Sequence, residues 1–199
     1  MQAQPSNTQA ARTRFDAGRP CLNLLATIGR RGSTSVERIP APADLATWLV
    51  DADLLDDLVP LDLGDLDRMR RLRDAAYAVV DAARHARTPA AGAVRLVNAA
   101  AAHPTPQLRL NPSGRTAARR SDHPVEAALA VLARDTIDLV TGPELTRVHE
   151  CAATECRMLF LDTSRGTRRR WCSMTRCGNR AKVRTHAARN RQSGRRHDR

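Results

Sequence analysis

The chain has 199 residues, 42% hydrophobic but only 3% aromatic, so its core must rest on Leu, Val and Ala, a composition typical of helical proteins. Its net charge of +12 is uneven: residues 151–199 hold 14 basic and three acidic side chains, whereas residues 1–150 hold 19 and 18. No apolar run approaches the ~20 residues that span a bilayer and the N-terminus lacks an apolar signal core, so a soluble cytoplasmic protein with a polyanion-binding tail is expected, without a membrane partner.

Residues 1–14 are polar and aperiodic and are expected to be disordered. From Phe15 to Ile28, the stripe of Cys21, Leu22, Leu24, Leu25 and Ile28 predicts a buried helix of two turns. Asn23 and Thr27 share one face of it. With Arg19 they read either as satisfied polar groups at a helix contact or as the lining of a small-molecule pocket. Gly29 to Ser33 reads as a loop with Arg30 and Arg31 solvated. Pro40 and Pro42 bracket a helix start, with Asp44 as a cap and Leu45, Trp48, Leu49 and Ala52 inward.

The longest predicted helix covers residues 65–86. Leu66, Met69, Leu72, Ala76, Val79, Val80 and Ala83 face inward, while Arg68, Arg70, Arg71, Arg73 and Asp74 read as solvated. Thr88-Pro89 opens a further helix through Ala102. Alternation at Leu108 and Leu110, then Asn111-Pro112-Ser113-Gly114, predicts a β-hairpin between Pro104 and Arg120. Asp122-x-Pro124 opens a helix to about Val140, and Gly142-Pro143 breaks it. That break sets the domain boundary, giving a helical domain over residues 15–142.

The densest chemistry follows. Cys151 and Cys156 enclose four residues, Cys172 and Cys177 enclose four more, and 15 residues lie between the pairs. Each pair can supply two thiolates from one turn, and the insert can fold back to complete a tetrahedron around one structural Zn2+. The same cysteines could form two disulfides, or His149 or His186 could replace one sulfur. Between the pairs, Met158–Leu161 and Arg168–Trp171 flank a polar stretch and predict a zinc-stapled hairpin, with Phe160 and Trp171 as its small core. A helix is expected after Cys177. Gly178 is expected to aim backbone N–H groups at the thiolates, and Asn179 to cap the turn. Arg180 is expected to brace Asp162 or a carbonyl, or else to reach a phosphate.

Several motifs carry a family resemblance. Cys-x4-Cys, Leu159-Phe160-Leu161-Asp162-x-Ser164, Arg170-Trp171-Cys172-Ser173-Met174 and Cys177-Gly178-Asn179-Arg180 together resemble the CGNR zinc finger. Phe15-x3-Arg19-x-Cys21-Leu22-Asn23-x3-Thr27-x-Gly29 and Pro42-x-Asp44-Leu45-x2-Trp48-Leu49 resemble the ABATE domain that precedes that finger. The resemblance implies a stress-related transcription regulator with the finger at its C-terminus. The break at Gly142-Pro143 places the finger at residues 143–191, and the polar run after Arg191 is expected to be a disordered basic tail at 192–199.

The expected fold is mainly α (α+β): a helical N-terminal domain with a small β-hairpin, then a zinc-stapled β-hairpin plus helix. The expected function is zinc-dependent binding of duplex DNA, with the N-terminal domain as sensor of a small-molecule effector or as a homodimerisation unit. Arg168, Arg169, Arg170, Arg176, Arg180, Lys182, Arg184, Arg189 and Arg191 are the candidate nucleic-acid contacts. An RNA- or ribosome-associated zinc protein and a zinc-supported protein adaptor are the alternatives. An enzyme is not expected, because four thiolates close the metal and no second catalytic cluster accompanies them.

Overall fold

The computed structural model describes residues 13–184. Helix α1 (Pro20–Leu25) opens on a proline, whose missing N–H is no loss in a first turn, and buries Cys21, Leu22, Leu24 and Leu25. It has six residues, shorter than its apolar stripe predicts. The Thr27 hydroxyl donates to the Leu24 carbonyl at 2.7 Å, and Ile28 leaves the helix for strand β1 (Ile28–Gly29). Strand β1 pairs antiparallel with β2 (Val36–Glu37).

Helix α2 (Pro42–Asp51) starts on proline, and the Asp44 carboxylate accepts from the Ala41 N–H at 3.1 Å. Helix α3 (Leu63–Arg84) is the longest. Asp62 and Asp65 cap it reciprocally, each carboxylate accepting the other's backbone N–H at 2.8 and 2.9 Å. The reciprocal pair starts the helix two residues earlier than its apolar stripe indicates. Helix α4 (Ala91–Ala101) starts two residues later than Thr88-Pro89 suggests, with no side-chain cap.

Strands β3 (Gln107–Leu110) and β4 (Ala117–Arg120) form the expected hairpin, closed by the Asn111 N–H on the Thr116 carbonyl at 2.8 Å. Leu108 and Leu110 are nevertheless exposed, and the hairpin is anchored by Arg119 on Asp53 and Asp56 at 2.7 and 2.8 Å. Helix α5 (Pro124–Thr141) leads through a 3-10 turn at Pro143–Arg147 into strand β5 (Val148–Glu150), which pairs antiparallel with β6 (Leu159–Leu161). No helix among the described residues is long and apolar enough to cross a membrane.

Two buried clusters share α3 as their common wall. The first joins α2, α3, α4 and α5 through Trp48, Leu49, Leu66, Met69, Leu72, Val97, Leu129 and Leu132. The second joins α1, Ala76 and Val80 of α3 and Leu139 of α5 to Phe160, Leu159, Leu161 and all four cysteines near the C-terminus. Ala76 and Val80 sit four apart, one turn along the helix, so one stripe of α3 carries this second core.

Polar side chains tie the elements together at fixed points. Arg19 gathers Asp135 and Asp138 at 2.6 Å each and Glu144 at 2.5 Å. Arg73, expected in solvent, is 3% exposed and grips both oxygens of Glu37 at 2.9 and 2.7 Å, with Thr27 Oγ1 at 3.0 Å. Its position four after Met69 and three before Ala76 places it on the inner stripe, a signal its charge obscured.

Candidate metal centre

The hairpin β5–β6 puts Val148 opposite Leu161, His149 opposite Phe160 and Glu150 opposite Leu159. Its connection is the first cysteine turn: the Cys151 N–H donates to the Met158 carbonyl at 2.9 Å, and the Cys156 N–H to the Ala153 carbonyl at 2.8 Å. This corrects the predicted hairpin. Strand β6 pairs backward across the first cysteine pair, not forward with residues 168–171, because Asp162 turns the chain immediately after it. The buried Asp162 carboxylate accepts the Ser164 N–H at 2.9 Å and the Arg169 N–H at 2.8 Å, closing the loop between them.

The Ala152 N–H bonds the Arg170 carbonyl at 2.8 Å, which delivers Cys172 beside the first pair. A π-helical turn, Met174–Gly178, then brings in Cys177. Gly178 does not aim its N–H at sulfur. It donates to the Ser173 carbonyl at 3.0 Å, and a Cβ there would lie 2.7 Å from the Met174 sulfur. The Met174 side chain packs over this glycine.

The four sulfurs lie within 4.8 Å of one another, and all four residues are buried. A tetrahedron of bonds of about 2.3 Å requires sulfurs about 3.8 Å apart. Cys156 and Cys172 stand at 3.8 Å and Cys172 and Cys177 at 3.6 Å, far beyond an S–S bond and suited to a shared ion. The cysteines are not disulfide-linked. His149 is not in the cluster; its ring sits 6.1 Å from that of Phe160. His186 lies outside the described residues.

Without a cation the thiols cannot ionise together. The contact with Cys151, opposed by that with Cys172 and reinforced by burial, pushes the Cys156 thiol up to about 11. Burial also raises Cys177, but the bond from Arg180 and the contacts with the other three cysteines outweigh it and hold this thiol below its ordinary value. A dication resolves the conflict by taking all four as thiolates. The donor set fits one structural Zn2+, with every coordination position filled by protein.

Two arginines face the sulfurs. Arg180 Nη2 donates to Cys177 Sγ at 3.4 Å, an acceptor outside the brace partners expected for it, Asp162 or a carbonyl. Arg14 Nη2 donates to Cys172 Sγ at 3.3 Å. Arg14 falls in the stretch expected to be disordered, yet it is 7% exposed. Nothing in the local sequence marks it, since its acceptor lies 158 residues away. The helical body also clasps the site elsewhere. The Leu161 N–H bonds the Ala17 carbonyl at 2.8 Å, and Gly18, at φ +92, has the Leu161 Cβ where its own Cβ would be. The Arg31 N–H bonds the Cys156 carbonyl at 3.2 Å, so the loop predicted to be solvated is a docking surface.

Residues 18–143 match the family model ABATE, described as "Putative stress-induced transcription regulator". The chain belongs to the ABATE family. Residues 147–190 match the CGNR zinc finger, whose cysteine pairs are the cluster just described. A search of curated proteins finds no match.

In this ABATE protein, Arg19, Asn23 and Thr27 go to separate partners. Arg19 is held by three carboxylates, the Asn23 Oδ1 accepts the Ala17 N–H at 3.1 Å, and Thr27 serves Leu24 and Arg73. Among the basic candidates, Arg168, Arg170, Arg176, Arg180, Lys182 and Arg184 are exposed. Arg169 is half-buried, donating to the Cys172 carbonyl at 2.7 Å with its guanidinium 4.9 Å from the centre of the Phe160 ring, so it acts as a brace. Arg184 pairs with Glu155 at 2.9 Å. Phe160 is fully buried, but in the core shared with the body, while Trp171 is half-buried beneath the Arg170 guanidinium. Arg189 and Arg191 lie outside the described residues.

Proposed function

We propose that this ABATE protein is a zinc-dependent, DNA-binding transcription regulator. In this reading the CGNR finger engages duplex DNA, and the helical body serves as sensor or dimerisation unit. One observation carries it: Arg168, Arg170, Arg176, Lys182 and Arg184 are exposed on a frame fixed by the four-cysteine cluster, on a body whose own charges nearly cancel. Exposed guanidiniums on a rigid frame can neutralise phosphates and release counterions, and some can pair bidentately with guanine.

The test is fluorescence anisotropy of the zinc-loaded chain against a short duplex and a structured RNA, across about 50–200 mM salt. Arg170→Ala is expected to weaken duplex binding and to lower its salt slope by about 1 while leaving the fold intact. Tighter binding to the RNA would favour an RNA-associated protein. Equal binding by the variant would remove Arg170 from the interface.

A further inference from the structure

The seam between body and finger holds a recess of about 430 Å3. Five guanidiniums line it: Arg14, Arg30 and Arg38 from the body, and Arg176 and Arg180 from the finger. Ala26, Ile28 and Met158 supply apolar wall, and Glu155 is the carboxylate among the lining residues. The volume falls in the range of small-ligand sites, and the mixture of apolar wall with a few polar groups is typical of them.

Several of these arginines also serve groups at the edge of the recess. Arg180 and Arg14 donate to Cys177 and Cys172, and so offset the charge of a zinc tetrathiolate. Asp16 is held by Arg14 at 3.0 Å and only approached by Arg176, at 4.0 Å. Glu155 faces Arg30 at 3.6 Å but is taken more closely by Arg184, at 2.9 Å from outside the recess. Arg38 is half-buried; burial first, and then the nearness of Arg14 and Arg176, make its charge harder to hold. The Arg38 guanidinium packs over Gly29, where a Cβ would lie 2.5 Å from its Nη2.

We propose that this recess binds a small organic phosphate, its anionic group between Arg38 of the body and Arg176 and Arg180 of the finger. Guanidinium forks match phosphate oxygens bidentately, and the apolar wall would receive the organic part. A ligand held from both sides would couple the body to the finger. The proposal goes beyond duplex binding and does not require it.

The experiment is calorimetric titration of the zinc-loaded, full-length protein with adenosine monophosphate and with inorganic pyrophosphate. Adenosine and sulfate at matched ionic strength are the controls. Saturable binding of the monophosphate but not of adenosine is expected. Arg38→Gln is expected to raise Kd about tenfold or more. Arg176→Gln, at an exposed position, tests the finger side should the first variant misfold, and is expected to weaken binding as well. The proposal is overturned by no saturable binding of either phosphate compound, by sulfate binding equally well, or by unchanged affinity in both variants. It is also overturned if Arg38→Gln weakens duplex binding while neither small phosphate binds, which would assign the recess to the DNA backbone.

Discussion

Arg14 and Asp162 show how much one side chain can do when its partners are remote in sequence. Arg14 brings a guanidinium from near the N-terminus to the sulfur of Cys172, supplying a hydrogen bond and a compensating charge to a site whose ligands all come from the C-terminal part. Groups in this outer position typically change metal affinity 10–100-fold when removed. Arg14→Gln is therefore expected to lower zinc affinity by about one to two orders of magnitude in chelator competition, with the far-UV spectrum retained at excess zinc. Unchanged affinity would reduce Arg14 to a packing residue. Asp162 works against its burial: the bonds from Ser164 and Arg169 hold its carboxyl down at about 2. Because its folded pKa lies below the unfolded one, its stabilisation is complete at neutral pH and fades only as pH falls from about 4 towards 2.

At the scale of elements, α3 explains most of the architecture. Its Leu66, Met69, Leu72 and Val79 serve the helical core, Ala76 and Val80 serve the core shared with the finger, and Arg73 reaches β2. Removing Arg73 leaves Glu37 facing a cavity without its principal partner. Arg73→Ala is expected to cost about 3 kcal/mol in urea denaturation, near the lower end for a buried pair because Glu37 keeps partial solvent contact. The double variant Arg73→Met, Glu37→Leu should recover most of that loss, since an apolar pair of similar volume removes the stranded charge. If the single variant costs almost nothing, the ion pair is incidental to the fold.

At the scale of the whole molecule, the finger is not an appendage. Its cysteines, Phe160 and Leu161 are buried against α1, α3 and α5, and Ala17, Gly18 and Arg31 contact it through backbone. Zinc binding thus contributes to the stability of the body as well as the hairpin. Stripping the metal with a chelator is expected to lower the midpoint of the helical far-UV transition, which should remain a single transition. A helical signal that melts at the same temperature with and without zinc would show two independent units.

The sequence was sufficient wherever an interaction is local. The cysteine spacing, the helices α2 to α5 and the turn at Asn111–Gly114 follow from periodicity, prolines and caps within a few residues, and the structure agrees within about two residues. Tertiary structure decided what depends on distant partners: that β6 pairs with β5, that Arg73 lies inside, that Arg19, Asn23 and Thr27 go to separate contacts, and that Arg14 and the Gly29–Ser33 loop belong to the zinc centre. The reason is common to all of them. A charged or polar side chain carries no periodic signal of its own, and whether it is solvated or buried is settled by what the fold places opposite it.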